Sequence, residues 1–219
     1  MHQLVWHEDP VSNAERANGL QQHPVTLWLT GLSAAGKSTL AFALERRLHD
    51  LKHASHVLDG DNVRHGLSQG LGFSKLDRSE NIRRVAEVAR LMNDAGLIVI
   101  VALISPLRAD RARARHIIGD ARFQEVHVST DLAVCEARDP KGLYARARSG
   151  QVAEFTGVSS PYEAPQFPAL CIDTAQLDLE HALAQLLTLA LSQGSDDNAP
   201  EELIRRSPRP QPGEERQNS

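Results

Sequence analysis

"VTLWLTGLSAAGKSTLAFALERRL", residues 25–48, decides the fold. Its first six residues form an apolar run rich in β-formers, which reads as a short strand. Its last part carries Leu40, Leu44 and Leu48 at helical spacing. Between them, "GLSAAGKST" (31–39) fits G-x-x-x-x-G-K-[ST], in the strand–loop–helix setting that gives this motif its meaning. Backbone N–H groups from Ser33 to Lys37 can curl around phosphate oxygens, and the helix N-terminus adds positive potential. Lys37 is expected to reach the β- and γ-phosphates, and the Ser38 hydroxyl to ligate Mg²⁺. The candidate ATP-binding residues are therefore Gly31, Leu32, Ser33, Ala34, Ala35, Gly36, Lys37, Ser38 and Thr39.

Outward from this loop, strand and helix patterns alternate. "ASHVLD" and "FQEVHVS" read as strands, and "LCIDT" as a last one. "LIVIVALI" (97–104) is continuously apolar, as suits a parallel strand covered on both faces. "DRSENIRRVAEVARLMNDAG" is a helix with Asp77 or Ser79 as N-cap and Gly96 beyond its end. "PLRADRARARHIIG", "LAVCEAR", "GLYARARSG" and "DLEHALAQLLTLAL" read as further helices. This order predicts an α/β three-layer sandwich, a parallel sheet of about five strands with helices on both faces. Ligands in such sheets bind beyond the carboxyl ends of the strands, which puts "DGDN", "ISP" and the phosphate loop on one edge. The expected units are an N-terminal arm (1–24, with Trp6 as its apolar anchor), a P-loop domain (25–192) and a disordered tail (193–219).

Composition narrows the class. The chain has 219 residues, 41% apolar and 24% charged, with net charge −4. That balance does not suggest a nucleic-acid partner. The longest apolar run is too short to span a membrane, and no secretory signal pattern opens the chain. Two cysteines, Cys135 and Cys171, argue against a disulfide scaffold and fit a reducing, cytoplasmic compartment. Both are expected to be small buried hydrophobes.

A P-loop alone does not say what becomes of the nucleotide. The base-reading N-K-x-D of a GTPase is absent, and the third strand run ends in "ISP", without the Asp-Glu of a motor ATPase. A small phosphotransferase with a second substrate remains. Its acceptor side is expected after "LDGDNVRHGL" (58–67), where a strand ends and a helix begins at Asp59 and Asp61. A carboxylate within hydrogen-bond reach of a hydroxyl both orients it and takes its proton. Arg64 and Arg78 are fixed cations suited to an oxyanion, Asn81 lies one turn after Arg78, and Phe73 in a glycine-rich loop invites a stacked ring. Arg83 and Arg84 read as a solvated helix face.

"GLSAAGKST", "DGDNVRHGL", "LGFSKLDRSENIRRVAEVARLMNDAG", "ISP", "CEARDPKGLYARARSG" and "EFTGVSSPYEAP" occur in an order and spacing that resembles the adenylylsulfate kinases. The resemblance spans about residues 5 to 192. It implies transfer of the ATP γ-phosphoryl group to the 3′-hydroxyl of adenosine 5′-phosphosulfate (APS), with Mg²⁺, giving 3′-phospho-APS (PAPS) and ADP. It implies catalytic roles for Asp61, Lys37 and Ser105, and Ser38 and Asp61 as metal ligands. It also implies APS contacts from Asp59, Asp61, Arg64, Phe73, Arg78, Asn81, Ile104, Ser105, Lys141, Phe155 and Thr156, the two phenylalanines sandwiching the adenine. Arg138, with Arg148, would belong to a mobile lid at about 138–165, Arg138 on the ATP side. A homodimer, and ATP sulfurylase as functional neighbour, are implied in the same way.

Many members of that family have a glycine where Ala34 stands, so this loop position must be right-handed or mildly strained. Two other readings stay open: another small-molecule kinase of the same fold, or a non-catalytic nucleotide-binding regulator. "DGDN" speaks against the first, and intact Lys37, Ser38 and Asp61 against the second.

Overall fold

In the computed structural model, residues 9–192 are described, together with Val5 and His7. Trp6 as anchor and the 193–219 tail lie outside the described residues. Five parallel strands form one sheet in the order β2-β3-β1-β4-β5. They are β1 (Thr26–Thr30), β2 (Ser55–Asp59), β3 (Ile98–Ala102), β4 (Phe123–Val128) and β5 (Leu170–Ile172). The helices between them are α2 (Lys37–Asp50), α3 (Gly60–Arg64), α4 (Lys75–Asp94), α5 (Arg108–Ile118), α6 (Leu132–Arg138) and α7 (Leu143–Arg148). Helices α1 (Asn13–Leu20) and α8 (Leu179–Leu191) stand before the first strand and after the last.

Strand alternation divides the core into two layers. Leu27, Leu29, Ile98 and Ile100 face α2 and α8, where Leu40, Leu44, Leu48, Leu183 and Leu186 meet them. Trp28, Val99 and Val101 face the other way, onto Val85, Ala86 and Ala89 of α4 and Ala114 and Ile118 of α5. Each leucine on the α2 stripe is at most 2% exposed, and such burial stabilises by roughly 1.5–3 kcal/mol per side chain. The strand-by-strand periodicity thus explains both faces of the sandwich.

Several details depart from the sequence expectation. Helix α4 begins before Asp77: Ser74 is its N-cap, extended at φ −60°, and its Oγ accepts the Asp77 N–H. The chain N-terminal to the sheet holds a docked helix. Its capping box, Ser12 with Glu15, fixes α1. Gln22 then clamps the body, its Nε2 donating to the carbonyls of Ala54 and Gly96 and its Oε1 accepting the Ala54 N–H, each at 2.8 Å. The helix expected to begin at Asp59 and Asp61 is the five-residue α3, with Asp59 as its N-cap. Cys135 is buried as expected, but Cys171 is exposed, because β5 is a short edge strand and that side chain falls on its open face. Arg83 and Arg84 pair with Glu80 on the α4 surface. Among the described residues no helix is long and apolar enough to cross a membrane.

Candidate active site

The carboxyl ends of β1, β2 and β3 open into a cleft of about 1590 Å³, lined by the phosphate loop, "DGDN", "ISP" and the 138–156 segment. Its floor is set by two glycines. A Cβ on Gly31 would stand 2.4 Å from the Val128 carbonyl oxygen, so only glycine lets the loop leave β1 beside β4. Gly36, at φ +101°, turns the loop into α2. Ala34 has φ +58°, so the mild strain expected from its sequence is present.

Lys37 is the first residue of α2 and is buried. Its Nζ donates to the Leu32 carbonyl at 2.6 Å. Desolvation lowers its pKa to about 8, against the raising effect of Cys135, Asp59 and Asp61. A buried ammonium with a single neutral acceptor is a site built for an anion. The next residue, Ser38, donates its hydroxyl to Asp59 Oδ2 at 2.6 Å. Asp59 also caps α3, accepting the N–H groups of Asp61 at 3.0 Å and Asn62 at 3.4 Å. The two aspartates are therefore unlike. Asp59 is buried and braces the loop, whereas Asp61 is two-thirds exposed and ion-paired with Lys141 across the cleft.

The acceptor-side residues converge on Arg78. It donates to the Phe73 carbonyl at 2.7 Å, to Thr156 Oγ1 at 2.8 Å and to the Glu154 carbonyl at 2.5 Å. One guanidinium thus joins the loop carrying Phe73 to the loop carrying Phe155 and Thr156. Phe73 is 66% exposed, with the Arg64 guanidinium 4.3 Å over its ring. Arg64 also donates to the carbonyls of Leu71 and Gly72, which shapes the glycine-rich loop. Phe155 is buried edge-on to Tyr144, with centroids 5.0 Å apart. Burial lowers the pKa of both arginines, and Arg78 lowers that of Arg64 further. Asn81 is 4% exposed, lines the cleft and has an Oδ1 with no hydrogen-bond partner among the described residues. A donor on a ligand in the cleft would satisfy that atom.

Two residues sit differently from expectation. Ser105 lines the cleft with Ile104, yet its Oγ accepts from Trp28 Nε1 at 3.0 Å and the residue is 3% exposed. The hydroxyl is thus tied to the core side of the wall while the residue itself lines the cleft. Arg138 does not hang free in a lid. It donates to Thr174 Oγ1 at 2.7 Å and to the Thr174 carbonyl at 3.0 Å, with a longer contact of 3.5 Å to the Ala34 carbonyl. Arg148 is paired with Glu136. Arg138 and Arg146 both line the cleft, and neither has an ion pair among the described residues.

Sequence reasoning missed Arg146, Thr174 and the Leu177–Leu179 stretch, all of which line the cleft. A signal for Thr174 was available: it follows β5 directly, at the edge where ligands of parallel sheets bind. Thr174 bonds to three residues, Thr130, Ala35 and Arg138, and so fastens the phosphate loop to the chain before α8.

The family model described as adenylylsulphate kinase matches residues 23–173. A relative named adenylyl-sulfate kinase from Shewanella denitrificans is 59% identical over 187 residues, covering 85% of this chain and 91% of the relative. One of the same name from Shewanella oneidensis is 58% identical over 191 residues, covering 86% and 93%. Among solved structures, the Mycobacterium tuberculosis APS kinase CysC in complex with AMPPNP and APS superposes with a TM-score of 0.74 at 46% identity. It covers 77% of this chain and 98% of that one.

Proposed function

The chain belongs to the adenylylsulphate kinase family, and from that premise we propose how its own residues divide the work of phosphorylating APS. The protein is an ATP-dependent kinase with an alcohol acceptor: it transfers the γ-phosphoryl group to the 3′-hydroxyl of APS, giving PAPS and ADP. The observation that carries this reading is the shared cleft, with the buried Lys37 on one wall and the Phe73–Arg78–Phe155 cluster on the other.

Phosphoryl transfer through a loose transition state asks for alignment and charge neutralisation more than covalent help. Loop N–H groups from Ser33 to Lys37 and the Lys37 ammonium hold the triphosphate. Asp61 orients the acceptor hydroxyl and accepts its proton. Lys141 occupies one oxygen of that carboxylate and keeps the side chain in the cleft. Arg64, Arg78 and Asn81 receive the phosphosulfate, Phe73 and Phe155 the adenine, and Ile104 and Thr156 complete the wall. Ser105 lines the acceptor wall, and Arg138 lines the ATP side beside the phosphate loop.

The Ser38 hydroxyl and the carboxylates of Asp59 and Asp61 are hard oxygen donors, and Ser38 lies 2.6 Å from Asp59, so the residues present fit Mg²⁺. Ser38 and Asp61 would hold it, with Asp59 orienting the Ser38 hydroxyl. When bound, the ion neutralises charge on the phosphate oxygens. The wider setting is sulfate activation in the cytoplasm, by a homodimer working after ATP sulfurylase, whose product is APS.

The test is ADP release with APS, AMP, shikimate and gluconate offered in turn. Turnover of APS with PAPS as product is expected. Turnover of another acceptor with silence on APS would refute the reading. Binding of both substrates without PAPS would establish the regulator in its place.

A further inference from the structure

The acceptor wall rests on a buried arginine that lies outside the cleft. Arg111 sits in the middle of α5 with its side chain 3% exposed. Its Nε donates to Glu125 Oε1 on β4 at 2.5 Å, Nη1 to the Ser105 carbonyl at 2.7 Å and Nη2 to the Glu163 carbonyl at 2.7 Å. The guanidinium also stands 5.9 Å from the Tyr162 ring centroid. A brace between α5 and β4 would need only the Glu125 pair. The two remaining donors go to separate segments of the wall.

Ser105 belongs to the 103–106 stretch that lines the cleft. It has φ +37°, a sparsely populated value for a residue with a side chain. Such strain persists only where the surroundings over-determine it. Here Trp28 holds the hydroxyl, and Arg111 and Thr30 hold the carbonyl. Glu163 lies where the chain returns from the Phe155–Thr156 loop. Its N–H donates to the Pro106 carbonyl at 2.9 Å, and its side chain accepts the Arg108 N–H at 2.8 Å. Tyr162 reaches Thr30 Oγ1 at 3.0 Å, and Thr30 in turn donates to the Ile104 carbonyl at 2.7 Å. Thr30 is the last residue before the phosphate loop.

We propose that Arg111 is the positioning residue of the acceptor side: it fixes the Ser105 backbone against the returning chain at Glu163, so that Ile104–Pro106 and Phe155–Thr156 meet the acceptor as one wall. The inference rests on the kinase reading above and deepens it. It separates two ledges of the same cleft. The phosphate loop is fastened through Thr174 and Arg138, whereas the acceptor wall is fastened through Arg111. Loss of Arg111 is therefore a loss of acceptor placement with the ATP side intact.

The test is steady-state kinetics and melting temperature of Arg111→Lys, Arg111→Gln and Tyr162→Phe. A lysine keeps the charge beside Glu125, but its single head does not reproduce the two-carbonyl fork. Displacing a substrate wall by a fraction of an ångström is expected to raise KM for APS about tenfold in both Arg111 variants and about threefold in Tyr162→Phe, with KM for ATP within about twofold of wild type. Trp28 supplies an independent signal through its bond to Ser105. In a Trp6→Phe background, which leaves it the sole indole, its emission is expected to change in Arg111→Lys. A wild-type KM for APS in folded Arg111→Lys, whatever its melting temperature, overturns the proposal. So does an equal rise in both KM values. If Arg111→Gln fails to fold, the lysine and Tyr162→Phe variants decide. A wild-type protein silent on APS would sink the kinase reading instead, and the Trp28 emission then decides the role of Arg111 alone.

Discussion

Replacing Lys37 with methionine should make the protein more stable while removing its activity. Burial lowers the Lys37 pKa from the ordinary 10.5 to about 8. That difference corresponds to roughly 3 kcal/mol of penalty for keeping the ammonium charged inside the fold at pH 7. Methionine keeps the unbranched length and removes the charge. It also removes the bond to the Leu32 carbonyl, which costs about 1 kcal/mol. The net expectation is a gain of about 1–2 kcal/mol at pH 7, or a melting temperature higher by roughly 2–8 °C for a chain of this size. The pH dependence carries the sign. The folded pKa is depressed, so between about 8 and 10.5 the unfolded chain binds the extra proton and wild-type stability rises with pH. The advantage of Lys37→Met should therefore be full below pH 8 and gone above about 10.5. Thermal denaturation of both proteins from pH 6.5 to 10.5, without nucleotide, checks this. A methionine variant less stable than wild type at pH 7, or an advantage that grows with pH, would refute the reasoning.

Three other substitutions test single roles. Asp61→Ala should cut kcat by about 10²-fold or more with little change in KM for APS, because its contact with the hydroxyl matters most in the transition state; an unchanged kcat removes Asp61 from the mechanism. Ser105→Ala should keep most of the activity and cost about 1 kcal/mol in denaturant titration, the price of one buried hydrogen bond from Trp28; complete loss of activity in a folded variant would give that hydroxyl a chemical role. Ala34→Gly should relieve the positive φ and leave stability equal or higher by up to about 1 kcal/mol, since relief of strain exceeds the added chain entropy; a clear drop in melting temperature would show that the Ala34 methyl matters more in packing than in strain.

Long-range order was legible because it is written in period and position. The apolar strand runs and the helical spacing of Leu40, Leu44 and Leu48 mark the alternating layers, and the 31–39 motif marks the end at which ligands bind. What the sequence did not disclose depends on contacts between distant segments. Arg111 stands among Arg108, Arg113 and Arg115 on one helix, and nothing local marks it as the buried one; Glu125, 14 residues away, does. Arg138 looks like a free lid cation until Thr174, 36 residues on, takes it. The unequal roles of Asp59 and Asp61 follow from Ser38, which only the fold brings beside one of them. Ser74 took the cap of α4 from Asp77 because its own extended backbone starts the helix earlier.

The Lys141–Asp61 contact has a consequence for salt. Both side chains are more than half exposed, and ion pairs in that setting are worth roughly 0–1 kcal/mol. A tie so weak yields to thermal motion and to dissolved ions, whose screening length is about 8 Å at physiological strength. The segment bearing Lys141 is thus held to the acceptor carboxylate by something a few hundred millimolar salt can largely dissolve. Ionic strength becomes a dial on how often Asp61 stands free for an incoming hydroxyl, while the buried Lys37 beneath it scarcely feels the same ions.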